Sequence, residues 1–85
     1  MVPTRLRTAR KAAGLTQEKL GLMVAIDEST ARSRISQYEL GIYSPSFDTA
    51  CRIARALDVP EAYLYTVDDD FAAEILTLYH QRKGK

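Results

Sequence analysis

Arg32-Ser33-Arg34-Ile35-Ser36-Gln37-Tyr38-Glu39-Leu40-Gly41 is the stretch whose reading decides the fold. At helical spacing Ala31, Ile35 and Tyr38 fall on one face, with Glu28 and Glu39 close beside it. The opposite face carries Ser29, Thr30, Ser33, Gln37 and Leu40, flanked by Arg34 and Ser36. Gly41 sits where such a helix stops, because glycine enters the left-handed conformation without a Cβ clash. The result is a helix buried on one side and polar on the other. Its polar side offers hydroxyls, an amide and guanidiniums, groups suited to base edges and phosphates. An ordinary solvated helix face would look the same, so the preceding residues have to decide.

Those residues are Leu15-Thr16-Gln17-Glu18-Lys19-Leu20-Gly21-Leu22-Met23-Val24. Thr16 is a natural N-cap, its hydroxyl placed to accept from an orphan amide of the first turn. Leu15 and Leu20 take the positions of a hydrophobic staple. Leu20, Met23 and Val24 continue an apolar stripe, and Gly21 permits close approach of another backbone. A capped helix, a short connection and a second, half-buried polar helix form a helix-turn-helix pattern.

Arg10-Lys11-Ala12-Ala13-Gly14-Leu15-Thr16-Gln17-Glu18-Lys19-Leu20, then Ile35 to Gly41 and Pro45-Ser46, resembles the lambda-repressor-like helix-turn-helix family, also called the Cro/cI or XRE type. The resemblance runs from about Leu6 to Leu64. It implies an all-α fold, a compact five-helix domain, binding to operator DNA and a homodimer. By the same resemblance Arg10 pairs with Glu39, tying the first helix to the recognition helix. Counting back from Ile35 and Glu39 transfers base reading to Arg32, Ser33 and Gln37. Phosphate contact falls to Gln17, Arg34, Ser36, Tyr43 and Ser44.

The chain departs from the family pattern in the turn. Ile26 to Ala31 makes the interval before the recognition helix longer by about one helical turn, roughly four residues. Gly21 stands for the usual alanine and Ala25 for the usual turn glycine. A left-handed Ala25 would cost roughly 1–2 kcal/mol, so the second helix is expected to end differently. The extra residues are expected to extend the front of the third helix, with Asp27 as its N-cap. The loop Ile42-Tyr43-Ser44 lacks the family's frequent lysine or arginine.

The remaining chain supplies a small core. Its 85 residues are 46% hydrophobic, enough for one domain. It shows no membrane-length apolar run and no signal-peptide pattern, so a cytoplasmic, nucleoid-associated protein without membrane contact is expected. Cys51, the single cysteine, forms no internal disulfide. Twelve lysines and arginines against eleven acids leave a net charge of +1, so charge distribution matters more than the total. Arg5, Arg7, Arg10 and Lys11 cluster early, whereas Asp68, Asp69 and Asp70 are consecutive.

A first helix is predicted from Pro3 or Thr4 to Ala13, with Leu6, Ala9 and Ala13 inward. Ser46 caps a fourth helix whose core stripe is Phe47, Ala50, Cys51, Ala54 and Leu57, leaving Arg52 and Arg55 solvated. Pro60 opens a short fifth helix that brings Tyr63 and Leu64 to the core. Residues 1–67 then complete the DNA-binding domain.

Residues 68–85 form a carboxyl-terminal sixth helix, with aspartates at its start and Arg82, Lys83 and Lys85 at its end. Its stripe of Phe71, Ile75, Leu78 and Tyr79, with Leu76 beyond, either covers the chain's own core or meets a second copy. The dimer is the expectation, because one short helix in one groove offers few base contacts and a twofold pair doubles them.

No chemistry of an enzyme is legible. His80 and Cys51 form no nucleophile–base pair, and no glycine loop cradles phosphate. The aspartate run lacks further ligands to complete a metal shell. No cofactor, metal or small-molecule ligand is therefore expected. The expected function is a sequence-specific transcriptional regulator, a repressor, with double-stranded DNA as partner. The near-neutral charge, with Asp27 and Glu28 beside the DNA face, keeps a second class in view. That class is a protein-interaction module on the same fold, such as an antitoxin or a modulator of another regulator.

Overall fold

The computed structural model describes residues 1–84; Lys85 lies outside them. Six helices follow one another: α1 (Pro3–Ala12), α2 (Gln17–Met23), α3 (Ala31–Glu39), α4 (Phe47–Leu57), α5 (Glu61–Tyr65) and α6 (Asp69–Lys83). No strand occurs among the described residues, and no helix there is long and apolar enough to cross a membrane.

Local chemistry sets most of the helix boundaries. The Thr16 hydroxyl accepts the Lys19 N–H at 3.0 Å, Ser46 accepts that of Thr49 at 3.2 Å, and Asp68 accepts that of Phe71 at 2.8 Å. Each satisfies an orphan donor of a first turn. α1 stops at Ala12 because Gly14 turns left-handed, φ 71°. Ala13 is thus the exposed end of that helix and not part of its inner stripe. α3 closes in the same way on Gly41, φ 75°.

The end of α2 overturns the expectation for Ala25. This residue does adopt the left-handed conformation, φ 64°. Its N–H donates to the Leu22 carbonyl at 3.1 Å and that of Ile26 to Gly21 at 2.9 Å, the paired bonds of a Schellman ending. Ile26 is thereby folded back against the core, and that packing offsets the strain at Ala25. The following residues do not lengthen α3 at its front either. Asp27 to Thr30 form a separate turn, and α3 begins at Ala31.

The core gathers Leu6, Leu20, Ile35, Ile53 and Leu64, all fully enclosed, with Tyr38, Leu57 and Tyr63 around them. In α4 the buried set is Ala50, Ile53, Ala54 and Leu57. Phe47 departs from the expected stripe: it is 63% exposed and meets Tyr65 ring to ring at 6.2 Å. Cys51 is only half-buried, and Met23 is exposed at the end of α2.

α6 is joined to the rest at both ends. At its start Arg5, 8% exposed, donates to the Thr66 carbonyl (3.0 Å) and the Val67 carbonyl (2.9 Å) and pairs with Asp69 (2.8 Å). Near its end Tyr79 donates to the Asp58 carboxylate at 3.2 Å, and Lys83 pairs with the same oxygen. Between these points Ala72 enters the core, and Ile75 and Leu76 pack against it. Tyr79 is half-buried, whereas Phe71 and Leu78 are each 56% exposed. The apolar stripe read from the sequence therefore divides into an inward row and an outward pair.

Candidate nucleic-acid interface

The functional face is built on the crossing of α2 and α3, whose contact is the most extensive between any two helices of the chain. Gly21 and Ala31 make that crossing close: a Cβ on Gly21 would lie 2.7 Å from the Ala31 Cβ and 2.8 Å from its carbonyl oxygen. Ala31, Ile35 and Tyr38 turn inward from α3. Its other residues are thereby committed to the outer surface.

Behind the crossing lies a polar pin. Arg10 donates through Nε to Glu39 Oε2 at 2.6 Å and through Nη2 to Oε1 at 3.1 Å. The side chains are 11% and 4% exposed, respectively. Arg10 Nη1 also reaches the Leu15 carbonyl at 2.9 Å, just before α2 begins. The Gln17 amide adds a third donor to Glu39, at 3.1 Å. One carboxylate thus gathers α1, the start of α2 and the end of α3 in fixed relation. Both Glu39 oxygens are used, as a buried carboxylate requires.

Gln17, the residue assigned to phosphate, therefore spends one amide hydrogen inside the protein. The Thr16 hydroxyl oxygen accepts the Lys19 N–H and keeps its own hydrogen to donate. Arg32, Ser33 and Arg34 are exposed, and Ser36 and Gln37 half-buried. Neither Arg32 nor Arg34 has an ion-pair partner among the described residues. Both guanidiniums are available to a ligand.

The residues do not form one uniform surface. Gln17, Arg32, Ser33 and Ser36 share a depression between the start of α2 and the first turns of α3. Gln37 and Arg34 share another with Tyr43 and Ser44, on the side of the loop after α3. The three residues assigned to bases are accordingly divided two and one between the depressions. The turn ahead of α3 adds residues that the sequence assignment omitted: Glu28 and Ser29 line the first depression. The sequence places Ser29 on the polar face and Glu28 beside it but gives neither a contact role, whereas the small residues Gly21 and Ala31 locate the crossing.

The buried Arg5 was also missed. Its position one turn before Ala9 on the inner side of α1 was the available sign, although its partners lie 61 to 64 residues away. Arg5 holds α6 and does not touch the outer face.

Comparison with known proteins places the fold in a family. The model of the helix-turn-helix family covers residues 6–64. An uncharacterized HTH-type transcriptional regulator of Methanothermobacter thermautotrophicus is 48% identical over 54 residues, spanning 64% of this chain and 72% of that protein. The crystal structure of the transcriptional regulator BswR aligns with a TM-score of 0.90 at 43% identity, over 93% of this chain and 78% of that one. On this match, with the α2–α3 crossing and the Arg10–Glu39 pin in place, the chain belongs to the lambda-repressor-like (XRE-type) helix-turn-helix family.

Proposed function

We propose that the chain is a sequence-specific DNA-binding transcriptional regulator that places α3 in the major groove of operator DNA. The observation that carries this reading is the outer surface of α3. It offers two guanidiniums, neither ion-paired among the described residues, beside Ser33, Ser36 and Gln37, on a helix pinned from behind by Glu39. Arg32, Ser33 and Gln37 would address base edges; Arg34, Ser36, Tyr43, Ser44 and Gln17 would address phosphates. Occupying an operator blocks access to it, so repression is the simplest outcome of such binding. The related proteins named as transcriptional regulators support the regulatory part of this reading.

A second copy completes the proposal. The outward pair Phe71 and Leu78 on α6, with Ile75 and Tyr79 at its margin, is the surface we assign to a homodimer. Burial of one such side chain contributes roughly 1.5–3 kcal/mol. Two copies would address half-sites about one DNA turn, roughly 34 Å, apart. Leu78→Glu changes an exposed side chain and leaves the Ala72 row intact, so it separates dimerisation from folding. Sedimentation of this variant at several concentrations should show a monomer; an unchanged dimer would move the interface elsewhere.

DNA binding itself is tested by a salt titration of binding to random duplex DNA. Phosphate neutralisation releases counterions, so affinity must fall steeply as salt rises. A flat response would favour the other class, a module that binds protein. The observation favouring that class is the exposed Leu40, Ile42 and Tyr43 at the end of α3, an apolar group beside the polar face.

A further inference from the structure

The turn before α3 is built from within. The Asp27 carboxylate accepts the Ser29 N–H at 3.2 Å, and the Asp27 carbonyl accepts the Thr30 N–H at 2.9 Å. The Thr30 carbonyl in turn accepts the Ser33 hydroxyl at 3.1 Å. Asp27 is thereby committed to the turn itself. Its neighbour Glu28 is exposed and has no ion-pair partner among the described residues. Glu28 nevertheless lines the depression that holds Gln17, Arg32 and Ser33.

A carboxylate on a phosphate-facing surface opposes general DNA affinity. Glu18, which lines the same depression, has an internal reason for its place, since an acid in the first turn of α2 suits the helix dipole. Glu28 precedes α3 and caps nothing. Its one favourable partner in a major groove is an exocyclic amino group, because an ionised carboxylate only accepts hydrogen bonds. Guanine and thymine present acceptor oxygens there and would repel it. Adenine offers an amino group beside an acceptor nitrogen, and cytosine offers an amino group alone.

Resting on the reading of α3 as the DNA-facing helix, we propose that Glu28 is a specificity-determining residue that accepts a hydrogen bond from the N4 amino group of a cytosine, next to the base pair addressed by Arg32. The hydrogen-bonded turn holds it, and the close Gly21–Ala31 crossing fixes that turn relative to α2. Glu28 weakens binding to duplex in general and sharpens it at one position.

Selection from random duplex DNA with the full chain, Glu28→Ala and Glu28→Gln tests this, with circular dichroism to establish that both variants fold. The native chain should select a cytosine at one position. Glu28→Ala should lose that preference by about ten-fold while other positions stay selected, and should bind random duplex several-fold more tightly. Glu28→Gln should move the preference at that position toward adenine, the base whose two groups suit an amide. Unchanged base preference in both variants, with affinity raised equally for every sequence, would reduce Glu28 to a repulsive rim and overturn the inference. A native chain that selects no sequence and ignores salt would remove the DNA-binding reading itself, and this inference with it.

Discussion

Gly21 and Ala31 approach so closely that a methyl group on Gly21 would stand 2.9 Å from the Ala31 Cα and 2.8 Å from its carbonyl oxygen. The obstructing atoms are mainly backbone, which cannot swing aside as the tip of a long side chain can. Gly21→Ala would gain roughly 1 kcal/mol of helix propensity. Overpacking at such a contact costs about 1–3 kcal/mol. A net loss is expected, with the start of α3 displaced from α2. Denaturant unfolding should show a lower midpoint; an unchanged midpoint would mean that the crossing yields easily.

Ala25 gives the opposite expectation one turn later. Its φ of 64° is held by the two hydrogen bonds that end α2 and by Ile26 packed against the core. Glycine adopts this conformation without the Cβ clash. Ala25→Gly should therefore stabilise the chain by about 1 kcal/mol, part of the relief being offset by greater freedom in the unfolded state. Thermal unfolding of the two proteins makes the comparison. A destabilised variant would show that the left-handed turn carries no strain.

The Arg10–Glu39 pair is the strongest single tie behind the outer face. Glu39→Gln keeps the shape of the side chain but leaves the Arg10 guanidinium enclosed without its charge partner. Removing one member of a buried pair costs about 3–5 kcal/mol. The amide can still accept one hydrogen bond, so the lower end of that range is expected. A loss of only a few tenths, measured by urea unfolding, would be the behaviour of an exposed pair. DNA affinity should fall with the same substitution for all sequences alike, because Glu39 positions α3 and faces no base.

What the sequence makes legible follows the range of the forces involved. Thr16 and Ser46 were legible as caps because a cap joins residues three apart. The inward row of α3 was legible because Ala31, Ile35 and Tyr38 share one period. Ala25 was misread because its local cost is opposed by Ile26, and the value of that packing depends on distant residues. Phe47 obeys the helical period of α4, but Ala50, Ile53, Ala54 and Leu57 already fill the interior, so period alone placed it wrongly. At the candidate site, the polar side chains of α3 were evident, with Ser29 on their face and Glu28 beside it, whereas their grouping with Gln17 in one depression depends on how the turn folds.

Arg5 is a buried cation whose principal partners are carbonyls. Its salt bridge reaches Asp69, whose side chain is 90% exposed and solvated, so that pair contributes at most about 1 kcal/mol. The hydrogen bonds to Thr66 and Val67 matter more, since bonds from a charged donor contribute roughly 1.5–3 kcal/mol. Arg5→Met should lower stability by about 2 kcal/mol and loosen the start of α6, whereas Asp69→Asn should do little. Amide exchange along α6 distinguishes them. Equal losses from both variants would assign the tie to the ion pair.

The far end of α6 carries a charge-dependent latch. The hydrogen bond from Lys83 holds the Asp58 carboxyl below its usual range, outweighing desolvation, with Tyr79 assisting. The same bond raises Lys83 above its ordinary value. His80 also faces this residue, its Nε2 lying 3.2 Å from the Asp58 carbonyl oxygen. A depressed carboxylate contributes stability that is fully present above its unfolded pKa, about 3.9, and lost as pH falls through the lower folded value. A raised lysine contributes stability present below about 10.4 and lost as pH rises through the higher folded value. The latch should thus be closed across neutral pH and release in acid below about pH 4. Asp58→Asn removes the charge but retains the left-handed end of α4, because asparagine tolerates φ 57°. In the native chain, acid should increase amide exchange near Tyr79 and Lys83 before the core opens. In Asp58→Asn that exchange should already be raised at pH 7 and should not rise further through this acid step. An identical acid response in the two proteins would show that the Asp58 carboxylate does not hold α6.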